Sequence, residues 1–217
     1  MTNGCATGRA IGRATGFCAA LLVVAAVAGC KPAEQTQSDR PEGALGFPAA
    51  DRPIAPIIST RWSTEEERDR KNEAMTVMDR AEVAPGMTVA DIGAGEGYYT
   101  VRLAKRVGPK GRVLAEDIVS EVIDALSRRV TRENWTNVSV KLGTPDNPKL
   151  PPASFDRVMM VHMYHEIAEP YAFLWNLYPA LKPKGEIIVV ESSRTPDKHG
   201  MPAELLRCEF EAVGYVE

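Results

Sequence analysis

A glycine-rich turn constrains this chain more than any other feature. The segment reads Val89-Ala90-Asp91-Ile92-Gly93-Ala94-Gly95-Glu96-Gly97-Tyr98. An apolar run leads into three glycines at alternate positions, and an amphipathic stretch follows. This pattern predicts a buried parallel strand, a tight turn and the start of a helix. Because open α/β sheets bind ligands at the carboxyl ends of their strands, the turn predicts a cofactor site.

The same alternation of strand and helix continues along the chain. Apolar runs predict five strands, at Met87–Ile92, Arg112–Glu116, Val138–Leu142, Arg157–Val161 and Glu186–Val190. Helices are predicted to begin at the Ser63-Thr64-Glu65-Glu66 capping box, Tyr98, Ser120, Pro170 and Pro202. This order predicts an α/β fold with a doubly wound parallel sheet.

Residues 1–29 differ from the rest and predict a signal peptide. Arg9 and Arg13 precede an apolar run, Phe17 to Ala28, with the proportions of a signal-peptide h-region. The run ends Val27-Ala28-Gly29-Cys30, which resembles the lipobox of bacterial lipoproteins. The resemblance implies cleavage before Cys30, lipidation of that cysteine and anchoring to the membrane on the exported side. If the leader instead results from a mis-assigned start codon, the protein is expected to be cytoplasmic.

The remaining chain divides into a tether and a domain. Residues 30–56 are rich in Pro, Ala, Gln and Asp with little periodicity, which predicts a flexible tether before a domain at 57–217. The formal net charge of −3 offers no broad basic surface, so no nucleic-acid partner is expected. With Cys30 lipidated, only Cys208 stays free, and no intrachain disulfide is predicted.

Departures from the dinucleotide-binding pattern narrow the cofactor class. That pattern is G-x-G-x-x-G, with the pyrophosphate at the helix N-terminus. Here the third glycine comes one residue early, and Tyr98 stands where Gly or Ala is expected. Asp91 precedes the glycines, and its carboxylate would repel a phosphate. These features disfavour a nicotinamide-dependent oxidoreductase and favour a ligand with a cationic group.

The turn resembles motif I, D-x-G-x-G-x-G, of the class I S-adenosylmethionine (SAM)-dependent methyltransferases. The resemblance implies SAM as the cofactor, which carries an amino group and a sulfonium and no phosphate. It assigns cofactor contacts to Asp91, Gly93, Ala94, Gly95 and Gly97. In that family two further strands, 6 and 7, complete the sheet. Strand 6 has barely begun where this sequence ends, so strands 6 and 7 are expected to be missing or truncated.

Two later segments extend the resemblance. Asp117 follows the second strand, 20 residues after Gly97, where an acid accepts hydrogen bonds from two ribose hydroxyls. Glu116 is the alternative if the register differs by one residue. The family contacts adenine after the third strand, and in this chain that contact stays open between Thr144, Asp146 and a backbone amide.

The substrate side is expected just after the fourth strand, at His162-Met163-Tyr164-His165-Glu166. His165 is the candidate base because histidine titrates near neutrality. Tyr164 is expected to line the pocket, and Glu166 completes the candidate catalytic set. The H-x-x-H-E spacing suggests a metal site only on a helix, and here it falls in a loop after a strand, so no metal is predicted.

The resemblance implies methyl transfer to a small-molecule or lipid-like acceptor that the sequence does not identify. In the family a helix before the first strand covers the substrate pocket, which makes Trp62 and Arg68 substrate-side candidates. The alternative is a non-catalytic SAM-binding lipoprotein on a degenerate methyltransferase fold. Two expectations favour it, because SAM is made in the cytosol while the leader points outside, and because strands 6 and 7 are not completed.

Overall fold

Five parallel strands form the sheet in residues 39–57 and 63–217, which are the residues that the computed structural model describes. The strands are β1 (Thr88–Ile92), β2 (Arg112–Asp117), β3 (Val138–Leu142), β4 (Phe155–Val161) and β5 (Leu181–Val190). Their order across the sheet is β3-β2-β1-β4-β5. The strands are therefore added on one side of β1 as far as β3, and then on its other side as β4 and β5. The predicted doubly wound parallel sheet is confirmed.

Six α-helices connect or flank these strands in the described part of the chain. They are α1 (Glu65–Arg70), α2 (Glu73–Arg80), α3 (Tyr98–Val107), α4 (Ser120–Arg132), α5 (Pro170–Leu177) and α6 (Ala203–Val213). Proline at the first position of α5 marks its start as the sequence predicted. Gly214, in a left-handed conformation, ends α6. None of these helices has the length and apolar character needed to cross a membrane.

Two local predictions need correction. The capping box is formed one residue later than predicted, by Thr64 and Glu67, each of which hydrogen-bonds to the backbone N–H of the other. The fifth strand begins at Leu181, before the predicted Glu186, and residues 182–185 form a bulge within it. There the register with β4 passes from Leu181 opposite Phe155 to Glu186 opposite Arg157.

The core lies on both faces of β1, which explains why Val89, Ala90 and Ile92 of this strand are apolar and buried. Val89 packs against α2 and α3 on one face, whereas Ala90 and Ile92 pack against α5 on the other. A fully buried strand of this kind is characteristic of a parallel sheet covered on both sides. The glycine turn that follows β1 therefore begins from a rigid base.

Residues 41–57 pack against the sheet domain, which is therefore larger than the predicted 57–217. The compact unit begins at Pro41. The Arg52 side chain is buried and donates from Nε to Glu209 of α6 over 2.8 Å. It also donates to the carbonyl oxygens of His165 and Ile167. The predicted signal peptide (1–29), Cys30 and Trp62 lie outside the described residues, and the predictions about them stay predictions.

Replacing Arg52 tests whether this N-terminal segment is part of the fold. We expect Arg52→Ala to lower the free energy of unfolding by about 3–5 kcal/mol, because it leaves the Glu209 carboxylate buried without its cation. Urea unfolding followed by circular dichroism measures this change. The control is Arg70→Ala, an exposed arginine whose ion pair with Glu67 spans 3.8 Å, with an expected change within about 0.5 kcal/mol. Equal effects of the two substitutions would contradict a docked segment.

Candidate functional site

A cavity of about 1020 Å³ opens at the carboxyl ends of the strands. Every strand contributes the residues that follow it, and α1 forms the opposite wall. The position agrees with the rule that open α/β sheets bind ligands where the strand order reverses. The volume is at the upper end of the range of about 300–1,000 Å³ that small-molecule sites occupy, so there is room for a cofactor and an acceptor.

The glycine turn forms the floor of this cavity. Gly93, Gly95 and Gly97 have φ of +63°, +55° and +89°, in the left-handed region that favours glycine. A Cβ at Gly93 would lie 2.9 Å from Met163 Cγ, and one at Gly97 would lie 2.5 Å from Leu126 Cδ1. Gly93, Ala94 and Gly95 line the cavity, whereas Gly97 caps α3 and packs on α4. The alternate glycines are therefore required by the turn itself.

Asp117 lies on the cavity wall beside this turn. Its Oδ2 accepts a hydrogen bond from the Gly95 N–H over 3.1 Å, and its Oδ1 accepts one from the Val119 N–H over 3.0 Å. A carboxylate oxygen has more than one lone pair, so each oxygen retains capacity for a further donor. The predicted ribose-binding acid is therefore held rigidly and faces the cavity.

Glu116, the alternative acid, also lines the cavity, from the other face of β2. Its side chain is buried against Gly143, and Oε1 has no hydrogen-bond partner among the described residues. Burial, with the nearby charge of Asp117, raises the pKa of Glu116 to about 8. The protonated carboxyl offers one donor and one acceptor to a ligand.

Asp91 is not among the residues that line the cavity, and its predicted contact with the cofactor stays a prediction. It is buried beneath the turn and accepts a hydrogen bond from Thr100 Oγ1 over 2.6 Å. Burial raises the pKa of Asp91 to about 7. Asp91 therefore acts on the site by fixing the start of α3 against the end of β1.

Of the two adenine candidates, Thr144 faces the cavity and Asp146 does not. Thr144 forms a tight turn with Asn147, in which its N–H and Oγ1 both donate to the Asn147 carbonyl. Thr144 and the following Pro145 line the cavity. The Asp146 carboxylate lies instead beside Gly43 in the N-terminal segment.

Among the predicted catalytic residues, His165 has the position best suited to contact an acceptor in the cavity. Its ring is buried at the cavity wall, with Nδ1 2.9 Å from the Glu191 carboxylate. Because a carboxylate accepts, the proton lies on Nδ1, and the lone pair of Nε2 is on the side of Glu166, 3.9 Å away. Glu191, which directly follows β5, was not among the residues predicted from the sequence.

Tyr164 is not a pocket residue, which corrects its predicted role. Its side chain is fully buried on the side of α6, where its hydroxyl donates to Glu209 over 2.8 Å. Burial and the Glu209 carboxylate raise the pKa of Tyr164 well above its usual value. Tyr164 therefore stabilises the fold rather than contacting a ligand, whereas Glu166 does line the cavity.

Helix α1 covers the cavity and is held there by ion pairs. Glu65 accepts hydrogen bonds from Arg102 of α3 and Arg129 of α4. Arg68 lines the cavity, as predicted for the substrate side, with its guanidinium 3.8 Å from the centre of the Tyr98 ring and 2.6 Å from Glu73. Because partly exposed ion pairs contribute little each, these pairs hold α1 only modestly.

Comparisons with known proteins bear on the class of the domain that carries this cavity. Residues 89–185 match the family described as methyltransferase domain. The protein-L-isoaspartate O-methyltransferase of Methanothrix thermoacetophila is 29% identical over 119 residues, 55% of this chain and 54% of that protein. The C-methyltransferase UbiE of Bordetella avium, for ubiquinone and menaquinone biosynthesis, is 35% identical over 53% of this chain and 44% of that protein. The chain thus spans about half the length of these curated relatives.

Solved structures share the fold. A SAM-dependent methyltransferase from Aquifex aeolicus superposes with a TM-score of 0.61 at 24% identity, over 70% of this chain and 89% of that one. The cyclase SpnF superposes with a TM-score of 0.59 at 19% identity, over 79% and 66%. The fold class is confirmed, and the family match supports the predicted methyltransferase class and SAM as its cofactor.

The two buried carboxyls predict how stability depends on pH. Asp91 and Glu116 hold protons in the fold up to about pH 7 and about pH 8, whereas the unfolded chain loses them near pH 4. The contribution of each to stability is therefore complete below pH 4 and is lost as pH rises through the folded pKa. Each lowers the free energy of unfolding by at most about 1.4 kcal/mol per pH unit in that window.

Calorimetric unfolding of the cofactor-free protein between pH 5 and pH 9 measures this dependence. We expect Asp91→Asn and Glu116→Gln each to flatten the decline, because the amides do not ionise. The control is Asp124→Asn, an exposed position on α4, which should leave the slope unchanged. A wild-type slope retained in both buried variants would show that neither carboxyl is responsible.

Proposed function

We propose that this chain binds SAM across the carboxyl ends of β1 and β2 and transfers its methyl group to a small-molecule or lipid-like acceptor in the remaining cavity. The observation that carries the proposal is the Asp117 carboxylate. It is fixed by the Gly95 N–H at the floor of a cavity large enough for two ligands. The family match of residues 89–185 supports the same activity.

The donors and acceptors in the cavity fit SAM better than a dinucleotide. Glu116 and Asp117 present carboxyl oxygens, which suit ribose hydroxyls, and the charge of the Asp117 carboxylate would oppose a pyrophosphate. The buried Glu116 Oε1, which has no partner among the described residues, marks a place for a ligand donor. Thr144 and Pro145 follow β3 and would form the adenine side.

When bound, SAM supplies an electrophilic methyl group, so the protein has mainly to align the acceptor and exclude water. The acceptor region is bounded by Met163, Ile167 and Phe173, whose apolar side chains favour an apolar body. His165 Nε2 lies at the same end and would accept a proton from an acceptor hydroxyl, amine or carbon. Glu191 would hold the ring in the tautomer that leaves this lone pair available.

The second candidate is a binding protein without turnover on the same fold, since a fold does not by itself establish an activity. The predicted exporting leader favours it, because SAM is made in the cytosol. The predicted lipid anchor at Cys30 and the exported location are part of this proposal, and they rest on the sequence alone. Either function uses the same cofactor site. Formation of S-adenosylhomocysteine across a panel of acceptors distinguishes them.

Replacing Asp117 tests the cofactor site. We expect SAM to bind saturably and Asp117→Ala to weaken binding by about 1.5–3 kcal/mol, roughly 10- to 150-fold, through loss of a charged hydrogen-bond partner. Isothermal titration calorimetry measures both affinities. Asp124→Ala, on the exposed side of α4, is the matched control and should bind as the wild type does. Failure of the folded wild-type protein to bind SAM would overturn the proposal.

Replacing Glu191 tests the role of His165. With an acceptor identified, Glu191→Gln should lower kcat roughly 10- to 100-fold, because the imidazole loses its oriented partner. The affinity for SAM should change less than about twofold, since Glu191 lies at the acceptor end. Glu186→Gln, an exposed carboxylate on β5, is the control. An unchanged kcat in Glu191→Gln would remove the His165–Glu191 pair from the mechanism.

A further inference from the structure

The three histidines of this chain all lie at the acceptor end of the cavity, although His199 is far in sequence from the other two. His162 and His165 follow β4, whereas His199 follows β5. His165, Glu166 and His199 can each turn a ligand atom toward a common point, since these atoms lie within 4.8 Å of one another. Two imidazoles and a carboxylate are the ligands that zinc and neighbouring transition metals take in proteins.

The distances in this cluster are close to those of a metal site without an ion. His165 Nε2 lies 3.9 Å from Glu166 Oε1, and the His165 and His199 rings are 5.3 Å apart and perpendicular. Bonds of about 2.0–2.1 Å in a tetrahedral zinc site separate neighbouring ligand atoms by about 3.3 Å. Small side-chain rotations would therefore close the cluster on an ion.

Glu191 supplies the outer support that metal-binding histidines require. Its carboxylate is 2.9 Å from His165 Nδ1, and both side chains are only 3% exposed. A histidine that binds a metal through one ring nitrogen nearly always donates from the other to a carboxylate, a carbonyl or water. The pair thus fixes the ring with Nε2 on the ligand side, and it does so independently of the other two ligands.

The loop after β5 presents His199 in a defined conformation. His199 has φ of +53°, which is uncommon for a residue other than glycine. The loop is closed by hydrogen bonds from the His199 N–H to the Pro196 carbonyl and from the Met201 N–H to the Ser192 carbonyl. A Cβ at Gly200 would lie 2.5 Å from that Ser192 oxygen, so the next residue must be glycine. Such a left-handed residue in a tightly closed loop is frequent at ligand sites.

We propose that His165, Glu166 and His199 bind a divalent transition-metal ion, with Zn²⁺ as the best match to the ligands. Three protein ligands leave a fourth position open toward the cavity, which is the arrangement of catalytic rather than structural zinc. The cluster differs from the H-x-x-H-E set considered from the sequence. His162 lies instead 3.7 Å from Glu73 of α2.

The ion gives the acceptor end a more specific chemistry. It would occupy the Nε2 lone pair of His165, so the acceptor would bind through an oxygen or nitrogen at the open position and lose its proton more readily there. This favours acceptors with a hydroxyl, carboxylate or amine group. Binding of the ion does not require SAM, so it goes beyond the proposed methyl transfer and is measured separately.

The test is titration of Zn²⁺ into the full chain after removal of metals with a chelator. We expect one ion per chain, and His199→Ala and Glu166→Gln should each weaken binding at least tenfold. Glu191→Gln should weaken it by roughly 10- to 100-fold. His162→Ala is the matched control and should bind Zn²⁺ as the wild type does. Circular dichroism and thermal unfolding of each variant establish that it is folded.

Substitution of Co²⁺ for Zn²⁺ adds a spectroscopic readout. Tetrahedral coordination by two histidines and a carboxylate should give visible absorption that His199→Ala abolishes. Absence of stoichiometric Zn²⁺ binding by the folded wild-type protein would overturn the proposal, as would equal binding by His199→Ala and His162→Ala. Asp117→Ala should retain Zn²⁺ binding, so failure of the metal proposal and failure of the cofactor proposal give different results.

Discussion

The hydrogen bond from the Gly95 N–H to the Asp117 carboxylate joins the two strand ends on which the site depends. It forms only if the turn after β1 passes through left-handed conformations at Gly93, Gly95 and Gly97. The glycine turn is itself held from beneath, where Asp91 accepts a hydrogen bond from Thr100 of α3. A change in any of these contacts would move the floor of the cavity, the ribose-side acid and the start of α3 together.

The same topology separates the cavity into two regions with different chemistry. The Glu116 and Asp117 carboxyl groups at the end of β2 face the expected cofactor, whereas the ends of β4 and β5 bring together imidazoles and carboxylates. The docked N-terminal segment supports the second region, because Arg52 binds the backbone that carries His165. Helix α1 forms the opposite wall of the cavity and is held there by partly exposed ion pairs.

Local sequence signals predicted the strands, most helix starts and the cofactor turn, because each depends on neighbouring residues. Side-chain directions after β4 were less predictable. A short 3₁₀ turn sends Tyr164 into the core and His165 to the cavity, and the sequence carries no signal that separates them. His199 and Glu191 meet His165 only through the pairing of β5 with β4. The docking of residues 41–57 likewise depends on one distant partner, Glu209.

A crystal structure with S-adenosylhomocysteine tests the central claim most directly. The account predicts the ligand across the carboxyl ends of β1 and β2, with its ribose hydroxyls on the Asp117 carboxylate and its homocysteine end over the Gly93–Gly95 turn. Adenine would then lie beside Thr144 and Pro145. A ligand bound elsewhere, or a cavity that stays empty at saturating ligand while Asp117 and Gly95 keep their hydrogen bond, would contradict it.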